Sequence, residues 1–597
     1  MLNFGDFELD IASYQLRRQG VLVNVEPQVL DVITYLAQHA DRLIRKEELL
    51  DEVWGDRFVS ESALTSRIKS ARQALGDDGR TQGMIRTVHG RGYQFVPFVT
   101  DSEALPEPSA QYSVDAPDRT EPTGDVTSLS DAHEAVARAE WRAARTIFAE
   151  VGVGGLAAED LERWGDSAWW DCEMAECIAV RQEAFRRYAA DGDDRAAARV
   201  AIALSEDYLH RGSSTVAMTW LERASGLLAA TPDCRETGQL MRLQSTYQLE
   251  LANEPEEALA INVALRELAE AIDDPDLMVQ AMQDHGRILL ALGQVERGMS
   301  IIDRSMLIGA TTGTTPNVRG RLYCNMLSAC VALGDFKRAQ DWNDEAMTWC
   351  AAQNQSPFPG VCEVHRAGLR RRSGELAPTL TDLESIASTS QFSNITGSAM
   401  LEIGEIHRQR GDFDSANDAY LAAHAHGVDA TAGLALVAIE RGDAGDAVEL
   451  LRDALEARSS DQVARRQLLP TLVEAAAVAG EVDAARDASR ELTELTDGRS
   501  DVCRACAATA VGTVALLEGS YQDASDAMRR SIRLYGTVPM PYELAAARLG
   551  LAAAAHALGT TQMASLERDA ALAAYRSLGA VPSGTARLWL ERTADST

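Results

Sequence analysis

Aromatic side chains are scarce in this chain, at 6% of 597 residues, and cysteine does not occur before Cys172. Few aromatics beside many Ala, Leu, Arg and Glu favour helix over sheet. The nine cysteines scatter irregularly up to Cys506, and their odd number suits a reducing compartment better than a disulfide framework. No uninterrupted apolar run approaches the ~18 residues of a membrane-spanning helix. The start MLNFGDFELD lacks a basic region followed by an apolar one, so no secretory leader and a cytoplasmic location are expected. Phosphate cradles are missing too. Gly152-Val153-Gly154-Gly155 and Gly90-Arg91-Gly92 have neither the GxxxxGK[ST] nor the GxGxxG context, which argues against an ATPase module.

A basic surplus is also absent, since the net charge is −33. Its distribution matters more than its size. Residues 1–100 hold 12 Lys and Arg against 14 Asp and Glu, so nearly all the negative charge lies further on. Within residues 58–100 six basic residues face three acidic ones. An acidic body with a locally basic element is compatible with DNA, because phosphate contacts depend on local charge. The length exceeds what one hydrophobic core organises and points to a few domains or a repeat array.

In the first hundred residues, Phe4, Phe7 and Leu9, then Leu16, Val21, Val23 and Val25, lie in short runs broken by Gly5, Asp6 and Gly20. They predict a small antiparallel sheet. Pro27 suits the first turn of a helix, and Val29, Leu30, Ile33, Leu36 and Ala37 recur at helical spacing. A second short helix is expected over roughly 46–54. Ser60 is a good N-cap for a third, on which Leu64, Ile68, Ala71 and Leu75 fall within about 60° of each other and form a buried stripe. Ser66, Lys69, Ser70 and Gln73 lie opposite, with Arg67 and Arg72 on the borders. A helix in a major groove wants such a layout, with polar groups facing bases and cations flanking them for phosphates. Beyond a loop at 76–83, two β-like runs, 84–88 and 93–96, bracket His89-Gly90-Arg91-Gly92, whose glycines allow a tight hairpin. His89 or Arg91 at its tip can enter a minor groove. Trp54, Tyr93 and Phe95 read as core residues.

The combination VWGD, SESALTSRIKSARQALGDD and IRTVHGRGYQF resembles the OmpR/PhoB-type winged-helix effector domain of bacterial transcription regulators, over nearly all of residues 1–100. The resemblance implies that the third helix is the recognition helix and that the wing contacts an adjacent minor groove. It places phosphate contacts on Arg67, Lys69 and Arg72 and base-facing positions on Thr65 and Ser70. Ser70 stands where that family often has an arginine, and so does His89 in the wing, so the operator is not implied. No receiver domain is expected in front of the reader, which begins at residue 2.

Residues 101–126 are rich in Pro, Ser, Asp and Glu and read as a flexible acidic linker. From 127 to 597 the pattern is helical. A unit Gly-Asp-x-x-x-Ala recurs at Gly334 with Ala339, Gly411 with Ala416, and Gly442 with Ala447, and without the Asp at Gly480 with Ala485 and Gly519 with Ala524. Looser units begin at Gly212, Asn253, Gly293, Gly374 and Gly559, and degenerate ones at Ala139 and Cys172. The spacings are 37–41 residues, with one of 31 and one of 33. A helix-closing Gly and a small Ala at the helix crossing are tetratricopeptide logic, in which each pair buries its apolar face on its neighbours. The fold class expected is therefore mainly α: an N-terminal α/β winged helix-turn-helix followed by an α-solenoid of tetratricopeptide-like helix pairs. The array also resembles the repeat regions of LuxR-type bacterial regulators, in Ala168-Trp169-Trp170, AECIAVRQEAF, YCNMLSACVALGDFKRAQDWNDEAMTWC and FPGVCEVHRAGLRRRSGEL. That resemblance implies a regulatory interaction scaffold.

No catalytic set converges in the sequence. Cys503 and Cys506 form a lone CxxC on an Ala-rich helix, and Cys350, Cys362 and His365 lack a fourth ligand, so packing is expected of both groups. His365 and His407 read as ordinary helical histidines. Asn354 to Val364, holding Pro357, Phe358, Pro359 and Gly360, reads as a structured inter-helix turn. The acidic residues of the array read mostly as a solvated face. The expectation is a one-component, non-enzymatic transcription regulator without cofactor, metal or membrane contact. Its winged helix takes duplex DNA, and its array takes RNA polymerase, another protein or a second copy, or senses a peptide or small molecule in a concave groove. The alternative is an interaction scaffold whose winged helix no longer binds DNA.

Overall fold

The structure is a computed structural model. It describes 2–101 apart from 5–6, 11–14, 19–20, 24, 26, 39–43, 47–48, 50–52, 54–60, 78–83, 89–91 and 96–99, and it describes 129–594 apart from 312–313, 353–359, 460, 497–499 and 583. The chain divides into two compact units, Met1–Asp131 with Arg199–Gly226, and Ala132–Ala198 with Leu227–Thr597.

The N-terminal domain starts with four strands, β1 (Leu2–Phe4), β2 (Phe7–Asp10), β3 (Gln15–Arg18) and β4 (Val21–Val23). They form an antiparallel sheet whose register aligns Leu2 with Leu9, Leu9 with Leu16, and Leu16 with Val23. In that row Leu9 and Leu16 are at most 1% exposed, and Val23 packs half-buried against the same core. Helix α1 (Pro27–Gln38) begins on the proline, whose missing N–H costs nothing in a first turn. Val29, Leu30, Ile33, Leu36 and Ala37 are all buried, as their spacing predicts. After β5 (Ile44–Arg45), Lys46, Leu49 and Val53 are helical. Helix α2 (Glu61–Ala74) and the hairpin of β6 (Ile85–Val88) and β7 (Gly92–Phe95) complete the core, and β5 pairs with β7. A last strand, β8 (Thr100–Asp101), pairs with β1, so the sheet reaches one residue into the stretch read as linker. The rest of that linker lies outside the described residues, as do Trp54, Ser60 and 353–359 of the proline-rich turn.

From Leu129 onward the described residues are helices joined by short turns. The twelve positions picked out as repeat starts all carry a positive φ, from 55° at Asn253 to 98° at Gly374. Even the non-glycine members, Ala139, Cys172 and Asn253, hold the left-handed conformation that closes a helix against its partner. Ala339, Ala416, Ala447, Ala485 and Ala524 are fully buried, which is why a small residue is needed where the second helix crosses the first.

Within the second unit, successive helices from Trp141–Val151 to Met174–Asp191 and from Arg235–Glu250 to Thr561–Leu578 pack on one another, and the first helices of successive pairs also touch, as do Gln462–Ala479, Asp501–Leu517 and Pro541–Ala557. The superhelix winds tightly enough for distant turns to meet. Cys503 Sγ donates to Leu333 O at 3.3 Å, Val581 N donates to Gln409 O at 2.8 Å, and Met174 N donates to Gln391 Oε1 at 3.0 Å.

Candidate nucleic-acid interface

Helix α2 is anchored by the face that the sequence marks as apolar. Leu64, Ile68, Ala71 and Leu75 are between 0 and 2% exposed and join Ile33, Leu36, Tyr93 and Phe95 in one core. Burying the two large aliphatic chains Leu64 and Ile68 stabilises this seating by about 1.5–3 kcal/mol each. The opposite face therefore turns outward. Lys69 is exposed and has no hydrogen-bond or ionic partner among the described residues, while Arg67 and Ser70 are half-buried beside it. Thr65 lies on the same helix, and its side chain is outside the described residues.

The end of α2 is built to hold the wing. Gly76, at φ 66°, ends the helix, and Asp77 N donates back to Arg72 O at 2.8 Å. This six-to-one bond satisfies a terminal carbonyl. It also aims Asp77 at the hairpin, where its Oδ2 accepts from Met84 N at 2.9 Å and Ile85 N at 3.0 Å. Arg72 answers from one turn earlier, with Nε and Nη2 donating to Ile85 O at 3.0 and 2.7 Å. One residue of β6 is thus gripped at both its N–H and its C=O by α2 and its cap.

This geometry changes the part expected of Arg72. The resemblance assigned it to phosphate; its Nε and Nη2 lie on the wing backbone, where helix and hairpin converge. Lys69 is exposed and Arg67 half-buried. The hairpin register, Ile85 with Phe95 and Val88 with Gly92, leaves residues 89–91 as the connection, so His89 and Arg91 lie outside the described residues. The sequence reading overlooked Arg86. It alternates with buried Ile85 along β6, pairs with Gln94 and is exposed, adding a cation to the wing. Strand alternation was the available signal.

The groups weighed as chemistry in the array are packed. Cys503, Cys350 and Cys362 are buried, and burial pushes the Cys506 thiol up to about 12. His365 is lowered to about 4, chiefly by burial, so it is neutral near pH 7. No group of three or more His, Cys, Asp or Glu among the described residues is arranged to hold a metal ion. No helix among them is long and apolar enough to cross a membrane.

The acidic residues of the array are less uniformly solvated than expected. Arg371, 6% exposed, bridges Glu402 at 2.5 Å, Arg372 reaches the same carboxylate at 3.2 Å, and Arg408 pairs with Glu405 at 2.8 Å. Tyr420 donates to Glu405 Oε1 at 2.6 Å. Burial alone would raise the Glu405 carboxyl, but Arg408, Arg371 and the tyrosine outweigh it and hold it at about 2. The first helices of the repeats carry these charges into the interior, where the turns of the superhelix meet.

Comparison with known proteins bears on the N-terminal domain. Residues 20–95 match the family described as "Transcriptional regulatory protein, C terminal". The chain is similar to the transcriptional regulator HilA of Salmonella typhi, 36% identical over 107 residues, which is 18% of this chain and 19% of that protein. It is 30% identical over 105 residues to the transcriptional activator CadC of Escherichia coli K12, covering 17% and 20% of the two chains. It is 29% identical over 98 residues to the DNA-binding response regulator MtrA of Mycolicibacterium smegmatis, covering 16% and 43%. The match thus spans about a fifth of HilA and CadC and under half of MtrA. Among solved structures, a chain of the APC/C hetero-tetramer Cut9–Hcn1 is similar with a TM-score of 0.35 and 12% identity, over 78% of this chain and 95% of that one. Taken with α2, its cap and the wing, the family match makes the N-terminal domain a winged helix of the OmpR/PhoB type, followed by an array of tetratricopeptide-like helix pairs.

Proposed function

We propose that the chain is a cytoplasmic, non-enzymatic transcription regulator that binds duplex DNA sequence-specifically through α2 and its wing, with the array as its interaction module. The observation that carries the reading is the seating of α2. Its apolar stripe is sealed in the core, and Lys69, with Arg67 and Ser70 beside it, faces out next to a hairpin held by Arg72 and Asp77. In this reading α2 enters the major groove, Thr65 and Ser70 face bases, Arg67, Lys69 and Arg86 meet phosphates, and His89 and Arg91 reach the minor groove. The names of the relatives, a transcriptional regulator, an activator and a DNA-binding response regulator, support it. The array receives protein, whether RNA polymerase, another partner or a second copy, or a peptide or small effector, as the LuxR-like stretches suggest.

Genome-wide mapping of bound sites, followed by gel shifts on the recovered operator, tests the proposal. A retarded complex that survives competitor DNA and weakens steeply with salt is expected. A protein that gives no specific complex with any recovered site is instead an interaction scaffold whose winged helix has lost its ligand.

A further inference from the structure

The last helix of the chain, Gly584–Ala594, does not continue the array. The repeat register would lay it against Thr561–Leu578, the helix just before it. It keeps the register's other contact, with Pro541–Ala557, and packs besides on Gln462–Ala479 and Thr431–Arg441, so that it meets the first helices of three different pairs. We infer that the interior face made by these three helices is a binding site for a helix, and that Gly584–Ala594 is its exchangeable resident ligand.

Recognition is concentrated at the start of the ligand helix. The amide of Gly584 donates to the Glu440 carboxylate, and Thr585 N donates to Glu474 Oε1 at 3.1 Å. Arg587 Nη1 lies 2.6 Å from Glu440 Oε2, and the Glu440 side chain is only 2% exposed. Two carboxylates from different pairs thus converge on the positive end of a helix dipole, where anions are favoured. The fit favours glycine at the first position. Gly584 has a φ of 52°, and a Cβ there would fall 1.6 Å from Glu474 Oε1. One turn on, Trp589 is 2% exposed and supplies the aromatic anchor. The site therefore reads a glycine start, an arginine three residues later and a tryptophan two residues after that.

The tether is short, and its described residues have few holds. Gly579, at φ 63°, ends the preceding helix, and Val581 is held by its N–H to Gln409 O and by Tyr542 Oη donating to its carbonyl at 3.1 Å. Such a link keeps the helix at high local concentration, so a free helix competes poorly while the tether is intact. The occupant that carries the required residues is the last helix of a second copy of this chain.

The test uses the full chain with a protease site inserted after Pro582. Once cut, the protein should release its C-terminal fragment on dilution and take up a fluorescent peptide of residues 583–597, while the array keeps its helical circular dichroism. Trp589→Ala in the peptide, or Glu440→Ala in the receptor, should weaken uptake at least about tenfold, the loss expected of a buried aromatic or ionic hot spot. In the uncut, unmodified chain, amides 586–594 should exchange hydrogen faster than those of Pro541–Ala557. A fragment that leaves only when the array melts, uptake indifferent to both substitutions, or equal exchange of the two helices would each overturn the inference. Dimers that form in the uncut chain and fall apart on cleavage would identify the second copy as the occupant.

Discussion

Lys69→Ala and Arg72→Ala separate two ways in which a cation serves a DNA reader. Lys69 is exposed on the outward face of α2, so in the proposed complex it neutralises one phosphate. Each such contact contributes about 0.9 to the slope of log affinity against log salt. The ratio of wild-type to Lys69→Ala affinity should therefore shrink about 3.5-fold between 50 and 200 mM salt, on a random-sequence duplex that reports the phosphate contribution alone. Arg72 donates twice to Ile85 O, which belongs to a fully buried residue. Losing hydrogen bonds from a charged group costs about 1.5–3 kcal/mol, which makes local opening roughly 10- to 150-fold more frequent. Hydrogen exchange of α2 and β6 reads that opening, and fluorescence anisotropy reads binding. Arg72→Ala should accelerate exchange in both elements and weaken DNA binding by a factor that does not change with salt. If it instead leaves exchange untouched and lowers the salt slope as Lys69→Ala does, the guanidinium belongs to phosphate and the argument from the wing tie fails.

Two further substitutions test the array. Gly442→Ala, at φ 95° with open space around the missing Cβ, should cost about 1–2 kcal/mol through the backbone alone. Ala139→Gly, at φ 57°, should gain up to about 1 kcal/mol; urea midpoints that move together in sign would refute the shared turn geometry. Burial, reinforced by Glu440 and Glu405 against the pull of Arg408, raises Glu474 to about 6 from its ordinary 4.5. The folded state then holds the proton more tightly than the unfolded chain. This stabilisation is full below about pH 4.5, is lost as pH rises through 6, and amounts to about 2 kcal/mol. Glu474→Gln should flatten the dependence of the urea midpoint between pH 5 and 7, and an unchanged dependence would contradict the burial argument.

Most of this architecture was legible because it repeats or because it is local. The buried stripe of α2, the proline start of α1 and the hairpin strands follow from periodicities that neighbouring residues set. The repeat turns were legible even where the glycine had decayed to Ala139, Cys172 or Asn253, because the spacing kept the position when the residue did not. Arg72 was harder. Helix geometry placed it correctly on the border of the polar face, but the border is where a hairpin from further along the chain comes to rest. No spacing within α2 reports that Ile85 O will be 2.7 Å away.

The interior of the array shows the same limit on a larger scale. A helix whose polar stripe faces water and one whose polar stripe faces another turn of the superhelix have the same amphipathic pattern. Glu402, Glu405 and Glu474 therefore read as a solvated face. They are enclosed because small rotations between pairs add up until turns some 170 residues apart in sequence touch, as Leu333 and Cys503 do. Closure also decides what the concave face can accept. An open solenoid would offer a groove to any extended partner, whereas here the inner face around Glu440 and Glu474 already holds Gly584–Ala594. A partner for that face must match this helix, with its glycine start and its tryptophan, or it must bind elsewhere on the array.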